Sequence, residues 1–407
     1  MIGLFLIGSA YGIDLGEARR ASAQRAIGVQ RQQAALDRAR GERLASLANT
    51  LPQVRLFAAA TTASGPNLIG RFTSRQLQGG ITGSWRLVDP SSWGAAAAAR
   101  STVRGETALL DWTRAMARRD ATVAFASAVS AVEVAAALRE AEEDALEASD
   151  GIRSLADAGL RPRADAVQAQ ALAASLTAER VAAEGEIGAT CAALQAQMGV
   201  TVDGHCDLDA PETWPEPVTS DVVHPAIRSA EAALTAARRA RGASVAQLAP
   251  TIVGTAEASQ GVGTAEVGDN ALDLGGLSLS AGLRAEVPLM ASGATVAAMQ
   301  QATAERGAAE VALDEQQRLL DSGRVAAEAR YQAALASVDA STQSLLAARE
   351  ALVLVEARYE QGLTDLTTLL EARRTRDRAL VALAVARAEQ GRALGELEVN
   401  RGVVQEP

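Results

Sequence analysis

A chain of 407 residues with a formal net charge of −10 and a pI near 5.0 lacks the basic footprint that nucleic-acid binding requires. All 39 basic side chains are arginine, aromatic residues make up only 3%, and alanine dominates long stretches, so an ordinary large core filled with Phe, Tyr and Trp is excluded. Such a composition suits long helices whose small side chains let their backbones approach closely.

At the start, Ile2 to Ile7 is apolar, and Ser9, Ala10 and Gly12 are small. This is the layout of a secretory signal with its cleavage site, although the usual positive start is missing. Residues 1–12 are therefore expected to be a signal remnant, the alternative being a plain apolar arm. No cysteine stands nearby to carry a lipid anchor.

Asp14-x-x-Glu17 has capping-box spacing and opens the first helix. Leu51-Pro52-Gln53-Val54 ends that helical run and opens a strand over Val54–Ser64. Gly79-Gly80-Ile81 opens a second strand, Ile81–Val88, which Pro90 closes; Arg86 lies on its polar face. From Trp93 to Ala158 there is no proline, and Ala, Glu, Arg and Leu predominate. Gly159-Leu160 makes a turn into another helix, whose end is flanked by Cys191 and Cys206. In an exported protein these two cysteines would close a short loop as a disulfide; otherwise they are separate thiols. A linker follows, Pro211-Glu212-Thr213-Trp214-Pro215-Glu216-Pro217.

The second half repeats this order. Leu248-Ala249-Pro250-Thr251-Ile252 matches the first helix-to-strand junction, and Gly275-Gly276-Leu277 matches the second strand's opening. The Gly261-x-Gly263 pair is expected in the loop between strands, where it opens no helix and so is no nucleotide fingerprint. From Leu277 to Leu289 the alternation is clean: Leu277, Leu279, Ala281, Leu283 and Ala285 face one way, and Ser278, Ser280, Arg284 and Glu286 the other. Met290 to Gln361 is again a proline-free helical run, and Gly362-Leu363 is its turn. Leu345, Leu352 and Tyr359 recur every seven residues; Leu380, Leu383, Leu394 and Leu397 form a seam interrupted by Arg387 and Gln390. The repeats are set at residues 13–210 and 224–402, with the linker at 211–223 and a tail at 403–407.

Each long helix would extend roughly 100 Å at 1.5 Å per residue, which a globular domain does not hold. The strands have about the ten residues a membrane-crossing β-strand needs. Four strands cannot close a barrel, and an open edge is not tolerated in lipid, so a membrane reading requires several chains to pool their strands. No stretch beyond the N-terminus offers eighteen apolar residues free of charge, so no transmembrane helix is expected. Neither histidine, His205 or His224, has metal-ligand company, no nucleophile turn is present, and no cofactor or metal is expected.

The order of elements, the duplication, the Leu-Pro-Gln junction and Gly159-Leu160 followed by Asp165-Ala-Val-Gln-Ala-Gln170 together resemble the TolC-like outer membrane efflux proteins. So do Tyr359-Glu-Gln-Gly362-Leu363, Leu369-Leu370-Glu371-Ala372-Arg373 and His224-Pro225-Ala226-Ile227. The resemblance runs from about Leu15 to Gly402, and only the combination of motifs carries it.

It implies a mainly α protein with a small β part: a long helical coiled-coil barrel in the periplasm, and four strands per protomer joining a trimeric twelve-stranded barrel in the outer membrane. The homotrimer would work with a periplasmic adaptor and an inner-membrane transporter as a passive exit duct for drugs, metals or proteins. The hairpin turns at Gly159 and Gly362 would form a gate with Asp165, Tyr359 and the pore-lining Glu371. Thr364 and Thr368 stand where relatives carry a gate Arg and a second acid, so Arg161, Arg163 and Asp365 are the candidate substitutes; Asp365 is also a good helix cap. Ser278, Ser280, Arg284, Glu286 and Arg86 would face the barrel lumen. A periplasmic adaptor usually has one hairpin rather than a duplication, and a structural coiled coil leaves the matched strands unexplained.

Overall fold

The computed structural model describes residues 12–67, 70–218, 223–267, 270–273, 275–289 and 293–403, so the expected signal segment lies almost wholly outside them. The described elements run α1 (Leu15–Arg25), α2 (Ile27–Ala48), β1 (Gln53–Asn67), β2 (Gly70–Val88), α3 (Pro90–Asp157), α4 (Arg163–Met198), α5 (Pro225–Ala246), β3 (Thr251–Val267), β4 (Asn270–Asp273), β5 (Gly276–Glu286), α6 (Gly293–Glu360) and α7 (Leu366–Asn400). The two runs read as very long helices are continuous, 68 residues each.

Asp14 caps α1, its Oδ1 accepting the Glu17 N–H at 2.5 Å. The first helix is not one rod. Ala26 leaves helical geometry (φ −55°, ψ 139°), and the Gln30 side chain donates to the Arg25 carbonyl that the break exposes. Pro90 does not close a strand but begins α3, where its missing N–H costs nothing. The second strand starts well before Gly79, at Gly70. Gly261 and Gly263 are not in a loop; both lie inside β3. Sequence cues misled here because glycine serves a coiled sheet as readily as a turn.

The sheet is antiparallel in the order β1-β2-β3, with β4 and β5 together forming the fourth position against β3. A Cβ on Gly80 would come within 2.7 Å of Ser259 Cβ, and one on Gly263 within 2.4 Å of the Arg75 carbonyl oxygen. Only glycine fits that close approach.

The described chain divides into two compact units that cut across the sequence repeats. One comprises Met1–Ala34, Ala108–Ala226 and Gln316–Pro407; the other comprises Ala35–Thr107 and Ile227–Glu315. The second unit holds the whole sheet and helical segments that approach closely: Gly94 of α3 lies against Ala243 of α5, where a Cβ would be 2.8 Å from the alanine Cβ. Arg239 of α5 donates to the Ala97 carbonyl and the Ser101 hydroxyl of α3, both at 2.9 Å.

The first unit is a helical body with several small cores rather than one large one. Ala18, Ala121, Phe125, Ala128, Val129, Leu194 and Met198 form one; Ala327, Tyr331, Ala334, Ala393, Leu394 and Leu397 form another. Leu345, Ala348, Ala379 and Leu383 make the heptad seam. One described helix, α3, contains an eighteen-residue window apolar enough by composition to cross a membrane. Its middle supplies Ala121, Phe125, Ala128 and Val129 to the first of these cores, and Glu133 interrupts it.

Candidate functional site

Alternation along each strand and the pairing register together sort the sheet into two faces. Leu56, Ile81, Ala258 and Leu279 stand in one row; Ala58, Gly79, Gln260 and Leu277 in the next; Val54, Gly83, Ala256 and Ala281 in the one before. Across this face Leu56 is 83%, Leu279 74% and Leu283 76% exposed in the single chain. A face this apolar and this bare is a surface awaiting a partner solvent or protein.

The face runs from Ile252 to Val262 along β3, about 33 Å of strand, and at a tilt near 45° it projects to roughly 24 Å, the height of an apolar membrane band. Polar residues resume one row further, with Thr62, Arg75, Thr264 and Asp273. At the opposite margin stands Trp85, whose indole donates to the Thr50 carbonyl at 3.2 Å, an aromatic at the band's edge.

The other face carries Arg55, Thr82, Glu257 and Ser280 in one row, and Ser259, Gly80 and Ser278 in the next. Arg86 and Arg284 share a row through Val253, and Glu286 pairs with Thr251. Arg284 lies 3.6 Å from Glu286. Ser278, Ser280, Arg284, Glu286 and Arg86 all lie on this one face of the sheet. Arg86 also reaches Asp89, at 2.9 Å.

Asp89 is a residue the sequence reading missed. It caps α3 from a buried position, accepting from the Ser92 N–H at 3.1 Å and from the hydroxyls of Ser91 and Ser92 at 2.6 Å each. Burial pushes its pKa up, but these hydrogen bonds and Arg86 outweigh it and hold the carboxyl well below the usual range. A serine pair two and three residues past an Asp-Pro was the available signal.

The hairpin turns belong to the helical unit. Gly159 (φ +76°) and Gly362 (φ +72°) both take left-handed geometry, as glycine allows. Asp165 is half-buried in the first turn of α4, where a carboxylate favours the helix dipole. Arg163 is exposed at that helix's start, and Glu371 is exposed on α7. Asp365 caps α7, accepting from the Thr368 N–H at 2.9 Å and its hydroxyl at 2.6 Å, which lowers its pKa. Arg161 and Tyr359 are brought together: the guanidinium carbon sits 4.8 Å from the ring centroid, joining one hairpin turn to the other by a cation–π contact. Within one chain it is Arg161 that meets Tyr359.

Behind the turns lies an apolar cluster from all four helices, including Ile152, Leu172, Leu352, Leu366, Leu369 and Leu370. Alongside the end of this cluster farther from the turns, where Ala141 and Ala145 flank Asp144, is a charged layer that the sequence did not single out. Arg376 donates to Asp144 Oδ2 at 2.9 Å and to its neighbour Asp377 at 2.6 and 2.8 Å, and lies 3.8 Å from Glu140. Arg373 donates to the Asp144 carbonyl at 3.3 Å and to Glu356 at 3.1 Å. Burial pushes the Asp377 carboxyl up, against the pull of Arg376. Arginines in a helical repeat look like solvated surface until packing shows what lies opposite.

Cys191 and Cys206 are joined as a disulfide, with Cα atoms 5.7 Å apart. The loop that follows α4 is organised by the Gln195 side chain, which donates to Asp203 and the His205 carbonyl and accepts from the Asp203 and Gly204 N–H groups. Trp214 of the linker donates from its indole to the Arg387 carbonyl at 2.7 Å, meets Phe125 edge-on, and lies against two helical cores. Among the described residues no group of three His, Cys, Asp or Glu side chains is placed to hold a metal ion.

Residues 222–401 match the family model described as outer membrane efflux protein. The fold is shared with solved outer-membrane channels at low identity. The Campylobacter jejuni CmeC outer membrane channel matches at 16% identity with a TM-score of 0.84, over 95% of this chain and 85% of that one. A membrane protein from Pseudomonas aeruginosa matches at 18% and 0.83, over 95% and 90%. The open state of the Neisseria gonorrhoeae MtrE outer membrane channel matches at 21% and 0.78, over 95% and 88%. No curated protein matches the sequence significantly.

Proposed function

We propose that this chain, whose residues 222–401 match the outer membrane efflux protein family model and 95% of which shares the fold of solved outer-membrane channels, is a passive exit duct of a tripartite efflux system in the bacterial outer membrane. The observation that carries this reading is the sheet. It has one apolar face of membrane height, one polar face, and two outer edges, on β1 and on β4–β5, that pair with nothing among the described residues. In lipid those edges must be satisfied, and three copies closing a twelve-stranded barrel satisfy them all. The polar face, with Ser278, Ser280, Arg284, Glu286 and Arg86, then lines the water-filled lumen.

The helical unit stands in the periplasm. Its hairpin turns form the entrance gate, with Arg161 on Tyr359 closing the protomer's own two hairpins together, Asp165 and Arg163 facing neighbours, and Glu371 lining the pore. Asp365 serves the gate indirectly, by fixing where α7 begins. Energy comes from an inner-membrane transporter coupled through a periplasmic adaptor.

Native mass spectrometry on detergent-extracted outer membranes tests the assembly. A trimer, three times the 41.9 kDa chain less any signal segment, is the expected species. A water-soluble monomer would overturn the duct.

A further inference from the structure

The apolar face of the sheet is not smooth. Toward the helices, Gly83, Gly254, Ala256 and Ala281 make a floor with no side chain longer than a methyl. Trp85 and Leu87 wall one side of it, and Val54 and Leu283 stand at its β1 and β5 ends, leaving an open trough of about 660 Å³. We propose that this trough seats one acyl chain of a phospholipid in the periplasmic leaflet of the outer membrane, so that each protomer carries a bound lipid. The proposal rests on the duct reading above.

Two of the floor residues are glycines that the chain's own packing does not require. Neither takes positive φ. A Cβ on Gly254 would stand 3.5 Å from Leu87 Cδ1 and 3.6 Å from Leu283 Cδ2, and one on Gly83 would stand 3.7 Å from the Ala256 carbonyl oxygen. These are ordinary contacts, unlike the overlaps a Cβ would make at Gly80 and Gly263. The pairs Gly83–Ala256 and Trp85–Gly254 are in register, and the bulge falls beyond them, at Leu87. Glycine inside a strand weakens it; where neither a bulge nor a neighbouring backbone calls for it, it leaves room for a group from outside the chain.

Position and lining decide the occupant. Gly254 is four residues from Ala258, about 13 Å of strand from the Leu279 row toward the helices, which is still inside the apolar band. Gly83 and Gly254 are on β2 and β3, the two inner strands, so a neighbour pairing along the β1 and β5 edges leaves them uncovered. No charged side chain lines the trough, and by alternation Gln53, Ser84 and Thr255 direct their side chains to the polar face. The one polar handle at the rim, the Trp85 indole N–H, is already given to the Thr50 carbonyl. A headgroup or a peptide finds nothing to bond there, and a hydrocarbon chain needs no bond. Among lipid tails apolar burial favours no one site, so shape decides. A chain lying flat would leave a void above the glycines and forfeit dispersion contacts, whereas one that dips into the trough recovers them. The bonded indole is a fixed wall, so the chain meets a surface already in place.

The test is native mass spectrometry of trimers extracted from outer membranes in mild detergent, counting the phospholipids that stay bound. Wild type is expected to keep one per protomer. Gly83→Val fills the floor without striking the backbone and should lower the ratio of lipid-bound to lipid-free protomers roughly tenfold. Gly79→Val is the matched control. It lies on the same strand and the same face but outside the trough, and its Cβ is equally free, with the Phe57 carbonyl oxygen nearest at 3.7 Å. It should retain lipid as wild type does. A failure of Gly83→Val to give trimers is met by Gly254→Ala, whose methyl fits between Leu87 and Leu283, with a smaller fall in the same direction. A wild-type trimer without bound phospholipid would overturn the seat. So would equal retention in wild type and Gly83→Val, equal losses in both valine variants, or a retained mass of lipopolysaccharide in place of phospholipid. A wild-type chain recovered as a water-soluble monomer would instead remove the duct reading, and the lipid seat with it.

Discussion

Leu279 and Ser280 are adjacent in β5, yet arginine at these two positions should have opposite consequences. Leu279 stands near the middle of the apolar face, in the row Leu56–Ile81–Ala258–Leu279, with three apolar rows toward the helices and two toward the hairpin ends. At about 3.3 Å per residue it lies roughly 20 Å of strand from the helix-side margin and roughly 13 Å from the other, near the bilayer midplane once tilt is included. Arginine there should cost about 2–4 kcal/mol per protomer. Ser280 shares its row with Arg55, Thr82 and Glu257 on the opposite face, so arginine there meets lumen water and an existing carboxylate, and stability should be nearly unchanged. Thr264, in the first polar row beyond the band and beside Arg75, is the depth control, at about 0–1 kcal/mol. The assay is reversible denaturant unfolding from lipid vesicles, followed by tryptophan fluorescence, of the three single variants. Equal losses for Leu279→Arg and Ser280→Arg would refute the assignment of faces. No loss at either position would mean that the sheet does not meet lipid at all.

Opening the Cys191–Cys206 loop by Cys191→Ser, or by reductant, should lower stability by up to about 3 kcal/mol, the loop-closure value for fifteen residues, read by denaturant unfolding with and without reductant. Gly391→Ala should destabilise by about 1–3 kcal/mol, because the new methyl would lie 2.4 Å from Trp214 Cζ2; the added Trp214→Leu change should relieve part of that loss, and simple additivity would count against the contact. Asp89→Ala should cost about 1–2 kcal/mol as a lost helix cap. Because the Asp89 pKa is lowered from 3.8 on folding, its stabilisation is complete above that value and is lost as pH falls through the lower folded pKa, so the wild-type advantage over Asp89→Ala should shrink only in strong acid, as measured by thermal unfolding against pH. Glu371→Ala should reduce cation preference in single-channel reversal potentials, since three exposed carboxylates around one entrance attract cations; unchanged selectivity would place Glu371 away from the pore.

Much of the architecture is written in one-dimensional patterns. Period-two alternation from Leu277 to Glu286 specifies a two-faced strand, and sheet geometry obliges it to keep those faces wherever it pairs; the alternation continues to Leu289, but the strand stops at Glu286 before Pro288. Two proline-free runs of alanine, glutamate, arginine and leucine specify long helices, because no residue in them breaks the hydrogen-bond ladder. Asp14 and Asp365 declare their helix starts through local spacing, and the glycines at 159 and 362 mark turns needing positive φ. These are local facts, carried by neighbours within four residues.

What depended on the tertiary structure was every relation between distant segments. Glycines 80, 261 and 263 look like turn residues, and only the pairing of β2 with β3 shows that two of them sit where a Cβ would strike the adjacent strand. Arg161 is one of several charges beside a turn until the second hairpin brings Tyr359 beneath it, 198 residues along the chain. Trp214, inside a proline-rich linker, looks like spacer until Gly391 opens a seat for its indole. Arg376 reads as solvated surface until α3 supplies Asp144 and Glu140 opposite. The physical reason is common to all four. Propensity and periodicity act through a residue's own backbone and nearest turns, whereas charge pairing, ring contacts and close approach are properties of two surfaces, and the second surface exists only once the chain has folded.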